Sequence, residues 1–367
     1  MIVNSDGGST DGTAQQVLEA GLPESSVLML AHPLHPVHRL TTPYHGLPGK
    51  GSAFRTIFQL AESLGARACA VVDADLRSIT PQWIELLVRP VLDHGYDFVA
   101  PYYLRHKYDG TITNSIVYPL TRALYGKRIR QPIGGDFGFS GGLVSHYLQH
   151  DVWQSDVARF GIDIWATTTA ICGNFRLCQA FLGAKIHDAK DPGSDLSAML
   201  AQVVGSLFAE MENHAAIWRE DHQPEIVPIF GFQFAVGTET VSVNIRRMID
   251  SFRRACQDLR EVWGAILSAE NLAGLEALAT RAEEPFRFED SLWVRSVYDF
   301  AAGYRRRVID RDHLLRSLTP LYLGWVASFI LQVEAAGPEQ VEERLEALCR
   351  VYESEKPYLN SRWGDSG

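Results

Sequence analysis

Hydrophobic positions follow two different rhythms in the two parts of this chain. Up to about Lys190, short apolar runs at Ser26–Leu30, Ala68–Val72 and Asp97–Pro101 alternate with segments whose apolar residues recur every three or four positions. Between Ser52 and Leu64, residues Phe54, Ile57, Phe58, Ala61 and Leu64 form one face of a helix. Thr80 followed by Pro81 predicts the start of another, with threonine as cap and proline at the first helical position. Strand runs alternating with helices predict a doubly wound α/β sheet, whose ligands sit beyond the carboxyl ends of its strands. Beyond Asp195 glycine thins out and helical patterns dominate: Leu196–Arg219, Val241–Ser268, Leu275–Arg281, Arg311–Val333 and the Glu- and Leu-rich Pro338–Glu353. The expectation is an α/β domain over residues 1–192 and a mainly helical domain over 193–367 that packs on the sheet and offers a dimer contact.

Composition narrows the class. A chain of 367 residues, 46% hydrophobic, buries a substantial core. Its formal net charge of −10 argues against coating nucleic acid, which needs an excess of Lys and Arg. A small phosphorylated ligand held by a few cations remains compatible. The five cysteines, Cys69, Cys172, Cys178, Cys256 and Cys349, lack metal-type spacing and read as reduced, buried thiols of a cytoplasmic protein. Leu318–Val333 is shorter than a membrane span and carries Thr319, Pro320, Ser328 and Gln332, so it is expected to be a buried helix. The opening, "MIVNSDGGSTDGT", drops after two apolar residues into a polar loop. That first strand looks cut short, as if the chain began inside a domain.

Candidate chemistry gathers at the ends of the apolar runs. In "VVDADL", Asp73 and Asp75 share a strand face, so their charges crowd unless something positive lies beside them. A divalent cation, Mg²⁺ or Mn²⁺, itself bound to diphosphate, is the simplest partner. In "LPGKGSAF", Lys50 sits between two glycines before a helix, a place for phosphate or ribose; the alternative is a glycine turn with a solvated lysine. Asp6 or Asp11 in the opening loop suits a base or ribose, or a structural turn. "RQPIGGDFGFSGG" packs five glycines into nine residues around Asp136, which suggests backbone laid against a ligand. Asp163 either caps the apolar helix that follows it or faces a polar substrate. His187, flanked by Lys185 and Lys190, follows a strand that returns it to the sheet edge near Asp75.

In this order, "PGKG", "VDADLRSITPQWI", "QPIGGD", "GID" and "KIH" resemble the GT-A glycosyltransferases. The likeness is to the retaining enzymes that make glucosyl- or mannosyl-glycerate and their 3-phosphoglycerate forms, and it covers about Met1–Pro192. The resemblance implies a nucleoside diphosphate sugar bound with a divalent metal, Mg²⁺ or Mn²⁺. By it, Asp75 and His187 hold the metal. Asp6 binds the base, and Lys50, Asp73 and Lys185 contact the nucleotide sugar. Gly135 and Asp136 lie beside the donor sugar, and Asp163 bonds sugar or acceptor hydroxyls. In "LRHKYDGTITN", Arg105, Gly110, Thr111 and Thr113 resemble the family's pocket for an acceptor carboxylate or phosphate. The additional first strand and helix of that family are not in this sequence.

The reaction expected from the resemblance moves a hexose to a small anionic acceptor with retention, in a cytoplasmic homodimer with no nucleic-acid partner and no membrane span. Negative charge developing on the leaving diphosphate would be met by the metal, Lys50 and Lys185. Competing readings are an inverting GT-A transferase, a nucleotidyltransferase and a ligand-binding remnant without activity. The first lacks a Q-x-x-R-W element here, and the second lacks its glycine-rich loop after the first strand.

Overall fold

The computed structural model describes residues 2–6, 9, 11–20, 27–31, 49–186, 197–233, 243–281 and 286–364. Its strands are β1 (Ile2–Asp6), β2 (Val27–Ala31), β3 (Ala68–Val71), β4 (Phe98–Leu104), β5 (Phe137–Ser140), β6 (Leu177–Ala184) and β7 (Ile229–Phe230). Among them run α1 (Thr13–Glu19), α2 (Lys50–Ser63), α3 (Pro81–His94), α4 (Tyr118–Tyr125), α5 (Gly141–Leu148) and α6 (Ile162–Cys172). A π-helical turn, Thr113–Val117, leads into α4. The remainder is α7 (Ser197–Asn213), α8 (Ala215–Trp218), α9 (Ile245–Asp258), α10 (Arg260–Ile266), α11 (Ala269–Thr280), α12 (Asp290–Arg306), α13 (Arg311–Ser317), α14 (Thr319–Val333), α15 (Pro338–Ser354) and α16 (Lys356–Trp363). The molecule is of the α/β class, with its helices concentrated after the sheet, as the two rhythms imply.

The sheet is mixed. β1 and β2 form a parallel pair, and the other five strands lie in the order β3-β5-β4-β6-β7. β4, β6 and β7 are parallel, whereas β5 runs antiparallel to β3 and β4. This departure from a doubly wound sheet has a consequence for placement. Because β5 is reversed, its first residue, Phe137, pairs with the last residue of β3, Val71. Asp136 therefore arrives at the carboxyl end of β3, beside Asp73. The parallel register of β4 with β6 ends at Leu104 opposite Ala184, so Arg105 and Lys185 emerge at the same edge.

Both faces of β4 are covered, which is why the strand reads as a continuous apolar run. Phe98 and Ala100 face a core with Phe54 and Phe58 of α2, Tyr147 of α5 and Trp165 of α6. Val99 and Tyr103 face the other side, with Trp83 and Leu87 of α3. Thr80 is the N-cap of α3 and Pro81 its first residue, although the threonine side chain makes no capping bond.

A third core fills the helical part, with Trp293 and Trp325 stacked at 5.8 Å. Ile116, Val117, Leu120 and Leu124 belong to this core, so the segment around α4 is shared between the sheet and the helices that follow. Buried Arg122 of α4 fastens it to α15 through Glu346 and Glu353, each at 2.7 Å. Residues Arg311–Val333 are long and apolar enough to cross a membrane, but 72% of their most apolar window is buried within the fold. They break at Leu318 into α13 and α14, as a core helix pair ahead of Pro320 does. The five cysteines are free thiols, and Cys178, Cys256 and Cys349 are buried.

Asp299 of α12 is fully buried and ties three helices together, α11, α12 and α16. It accepts from the Ser268 amide at 2.8 Å, Asn271 Nδ2 at 2.7 Å, Tyr358 Oη at 2.9 Å and Arg362 Nε at 2.5 Å. Removing the carboxylate takes the shared acceptor from a half-buried guanidinium and three further donors. Asp299→Ala is expected to cost about 3–5 kcal/mol, read as a lower midpoint in urea denaturation.

Candidate functional site

The carboxyl edge of the five-stranded sheet opens into a cleft of about 460 Å³. Lys50, Asp73, Asp75, Asp163 and Lys185 line one side, and Arg105 and Tyr108–Thr113 the other. Lys50, at the start of α2, bonds Asp73 Oδ1 at 2.9 Å and Asp163 Oδ2 at 3.1 Å. Lys185, just after β6, bonds Asp73 Oδ2 at 3.0 Å, Asp136 Oδ2 at 2.9 Å and the Gly134 carbonyl at 2.8 Å. Asp136 also accepts from the Asp73 amide at 2.8 Å and from the hydroxyl of Tyr103. Two ammonium groups thus serve three carboxylates.

These contacts change what surrounds the acidic pair. The positive charge beside Asp73 comes from Lys50 and Lys185. Burial alone would raise the pKa of Asp73, but the two lysines outweigh it and hold the carboxyl well below the ordinary range. Lys50 is likewise buried, and Asp163 and Asp73 overcome that penalty and raise it above a free lysine. Asp163 goes the other way, because burial pushes it up more than Lys50 pulls it down. Its Oδ1 atom is buried and has no hydrogen-bond partner among the described residues. Asp163 sits in the first turn of α6, whose N-cap is Gly161, so its side chain faces the cleft and not the helix end.

The glycines serve packing as well as the site. Gly135 has φ +90°, and a Cβ there would lie 2.2 Å from Asp73 Oδ2 and 3.1 Å from Lys50 Nζ. Only glycine lets the loop close over the charge cluster. Gly51, expected to approach a ligand, instead lets α2 meet the turn Asp156–Ala158; a Cβ would stand 1.8 Å from the Val157 carbonyl oxygen. Gly138 and Gly141 are likewise pressed against the backbone of Leu87 and Ala66. Much of the glycine-rich stretch is therefore strand and helix packing.

The opposite wall is held by the helical part. Thr111 and Thr113 are buried at the start of the helical segment that continues into α4. Thr111 Oγ1 lies 2.5 Å from Tyr322 Oη of α14. Lys107 Nζ donates to the carbonyls of Val333, Glu334 and Ala336 at 2.9, 2.6 and 3.3 Å, gripping the end of the same helix. Gly110 has φ +65°, and Arg105 lies beside it. Arg105 reaches Asp109 at 3.5 Å and stands 5.4 Å over the Tyr103 ring, with its Nε unbonded among the described residues.

Of the residues singled out in the sequence, Lys50, Asp73, Gly135, Asp136, Asp163 and Lys185 meet in one cluster. Arg105, Gly110, Thr111 and Thr113 form the facing wall. Asp75 is exposed at the rim, and among the described residues no hydrogen bond or ion pair engages it. A free carboxylate in that position suits a hard cation. Asp6 ends β1 rather than lying in a loop. His187 lies outside the described residues, and among those described no three His, Cys, Asp or Glu side chains converge on one point. Tyr103 and Tyr322 escaped the sequence reading. The first looks like strand core, and the second carries no local motif.

No protein-family model and no curated protein sequence matches the chain. Among solved structures it is similar to glucosyl-3-phosphoglycerate synthase from Mycobacterium tuberculosis. The complex with Mn²⁺, UDP-glucose and phosphoglyceric acid aligns at 21% identity and a TM-score of 0.41, over 57% of this chain and 68% of that one. The complex with Mn²⁺, UDP and glucosyl-3-phosphoglycerate aligns at 22% identity and 0.41, over 57% and 67%. The complex with Mg²⁺ and UDP gives 22% and 0.40 over the same shares.

The charge cluster has a signature in stability. An aspartate whose folded pKa is depressed adds stability that is fully present above its unfolded value, about 3.9, and lost as pH falls below it. Asp73→Asn is therefore expected to be less stable than the parent by a constant margin between pH 6 and 7. The margin should shrink below about pH 4, in urea titrations at each pH.

Proposed function

We propose that the chain is a metal-dependent glycosyltransferase that moves a hexose from a nucleoside diphosphate sugar to a small anionic acceptor, with retention of configuration. The observation that carries this reading is the two-sided cleft. A lysine–aspartate cluster stands at the carboxyl edge of the sheet, and a wall with Arg105 and a helix start faces it. The family resemblance of the motifs supports the same assignment.

Lys50 and Lys185 are placed for the diphosphate. Each is held by Asp73, so neither needs to be ordered when negative charge develops on the leaving group. Asp163 Oδ1, buried and without a donor among the described residues, is an acceptor in waiting for a sugar or acceptor hydroxyl. A divalent ion, Mg²⁺ or Mn²⁺, held by Asp75 would add positive charge at the diphosphate. Across the cleft, the Arg105 guanidinium and the first amides of the helical segment from Thr111 favour a carboxylate or phosphate. The reading includes glycerate or 3-phosphoglycerate as acceptor. Retention needs no carboxylate base opposite the leaving group, and product anomeric configuration by NMR tests it: inversion would rule the retaining assignment out.

Two variants separate the halves of the cleft. Asp75→Ala should abolish the Mn²⁺-dependent thermal stabilisation by a nucleotide sugar while leaving the unliganded melting temperature unchanged; stabilisation equal to the parent's would remove the metal from the proposal. Arg105→Ala should lose about 1.5–3 kcal/mol of charge-assisted bonding, or roughly ten- to hundredfold in acceptor KM. The donor KM, measured in the same steady-state assays, should stay close to that of the parent.

A further inference from the structure

Helix α5 and the turn after it carry two histidines four residues apart, His146 and His150, away from the residues that line the cleft. Their rings meet edge to face, with centroids 4.9 Å apart and planes at 78°. The two Nε2 atoms are 3.3 Å apart. That separation is long for a nitrogen–nitrogen hydrogen bond. It equals the edge of a tetrahedron around an ion bound at roughly 2.0–2.1 Å by each nitrogen, which is about 3.3 Å.

Packing fixes both rings. His150 stands edge-on to Trp165 at 5.7 Å, and His146 lies against Phe175 at 5.1 Å. Their nitrogens are thus held together without further ordering cost. Behind them is a buried carboxylate, Glu210 of α7, which acts electrostatically on His150 together with His214. Glu210 accepts from Thr168 Oγ1 at 2.8 Å and from Asn213 Nδ2 at 3.1 Å. Among the described residues its ion-pair partner is His214, at 3.2 Å, which is charged only when protonated. Negative charge buried without lysine or arginine favours a cation close by.

We infer that His146 and His150 chelate one divalent transition-metal ion through their Nε2 atoms, with water completing its shell and Glu210 providing the negative field behind it. Imidazole ligands suit Cu²⁺, Ni²⁺ and Zn²⁺, whereas Mg²⁺ and Mn²⁺ prefer oxygen. The site therefore takes a different ion from the one proposed at Asp75, and it stands whether or not the cleft is a transferase site. Two protein ligands make it weaker than a four-ligand structural site.

Titration calorimetry of the full chain with ZnCl₂ should show one saturable site that MgCl₂ does not fill. His146→Gln and His150→Gln should each abolish it while leaving circular dichroism unchanged. Zinc binding that survives both substitutions would be an adventitious ion only, and would overturn the assignment, as would no saturable binding. Should a variant fold poorly, Cu²⁺ electron paramagnetic resonance on the unsubstituted chain decides instead. Hyperfine coupling to two imidazole nitrogens is expected, and coupling to one or none refutes the chelate.

Discussion

Three carboxylates brought from β3, the head of β5 and the first turn of α6 meet two ammonium groups at one sheet edge, and the rest of the cleft is organised around that meeting. Unpaired, each buried charge would cost several kcal/mol. Paired, the two ammonium groups offset two of the three carboxylate charges: Lys50 bridges Asp73 and Asp163, and Lys185 bridges Asp73 and Asp136. The arrangement explains why β5 must run antiparallel. A parallel strand there would carry Asp136 to the far edge of the sheet and leave Lys185 with one carboxylate fewer.

The same cluster leaves a specific residue of unsatisfied capacity. Asp73 spends both oxygens on lysines and Asp136 is surrounded by donors, but Asp163 keeps one oxygen with no partner among the described residues. Asp75, two residues from Asp73, is left outside at the rim. Two aspartates separated by a single alanine therefore live in different physical worlds, one locked in an ion-pair network and one open to solvent. The first holds the lysines in position; the second is free to bind.

The other wall of the cleft is borrowed. Its backbone belongs to the segment between β4 and β5, but its position is set by α14, through Lys107 at the helix end and Tyr322 on its side. With Arg122 fastened to α15 and Ile116–Leu124 sharing the helical core, the helices after the sheet act as the template for half of the site. A small displacement of α14 would move that wall without touching the lysine–aspartate cluster.

Much of this was legible beforehand, because the signals are local. Period-two and period-3.6 patterns mark strands and helices within a dozen residues. Thr80–Pro81 announces a helix start, and carboxylates at the end of an apolar run announce a sheet edge. Most of the charged residues lining the cleft were accordingly nameable from their neighbours in sequence, whereas Phe160, Met199 and Val203 were not. Helix α12 was harder to see, because its polar residues include Asp299, buried against groups up to 63 positions away. Partnership was the property left to tertiary structure. Whether Asp73 faces a metal or lysines, whether Gly51 meets a ligand or another turn, and what anchors Lys107 all depend on atoms 23 to 229 positions away along the chain. Coulomb and contact energies follow distance in space, which chain order does not encode.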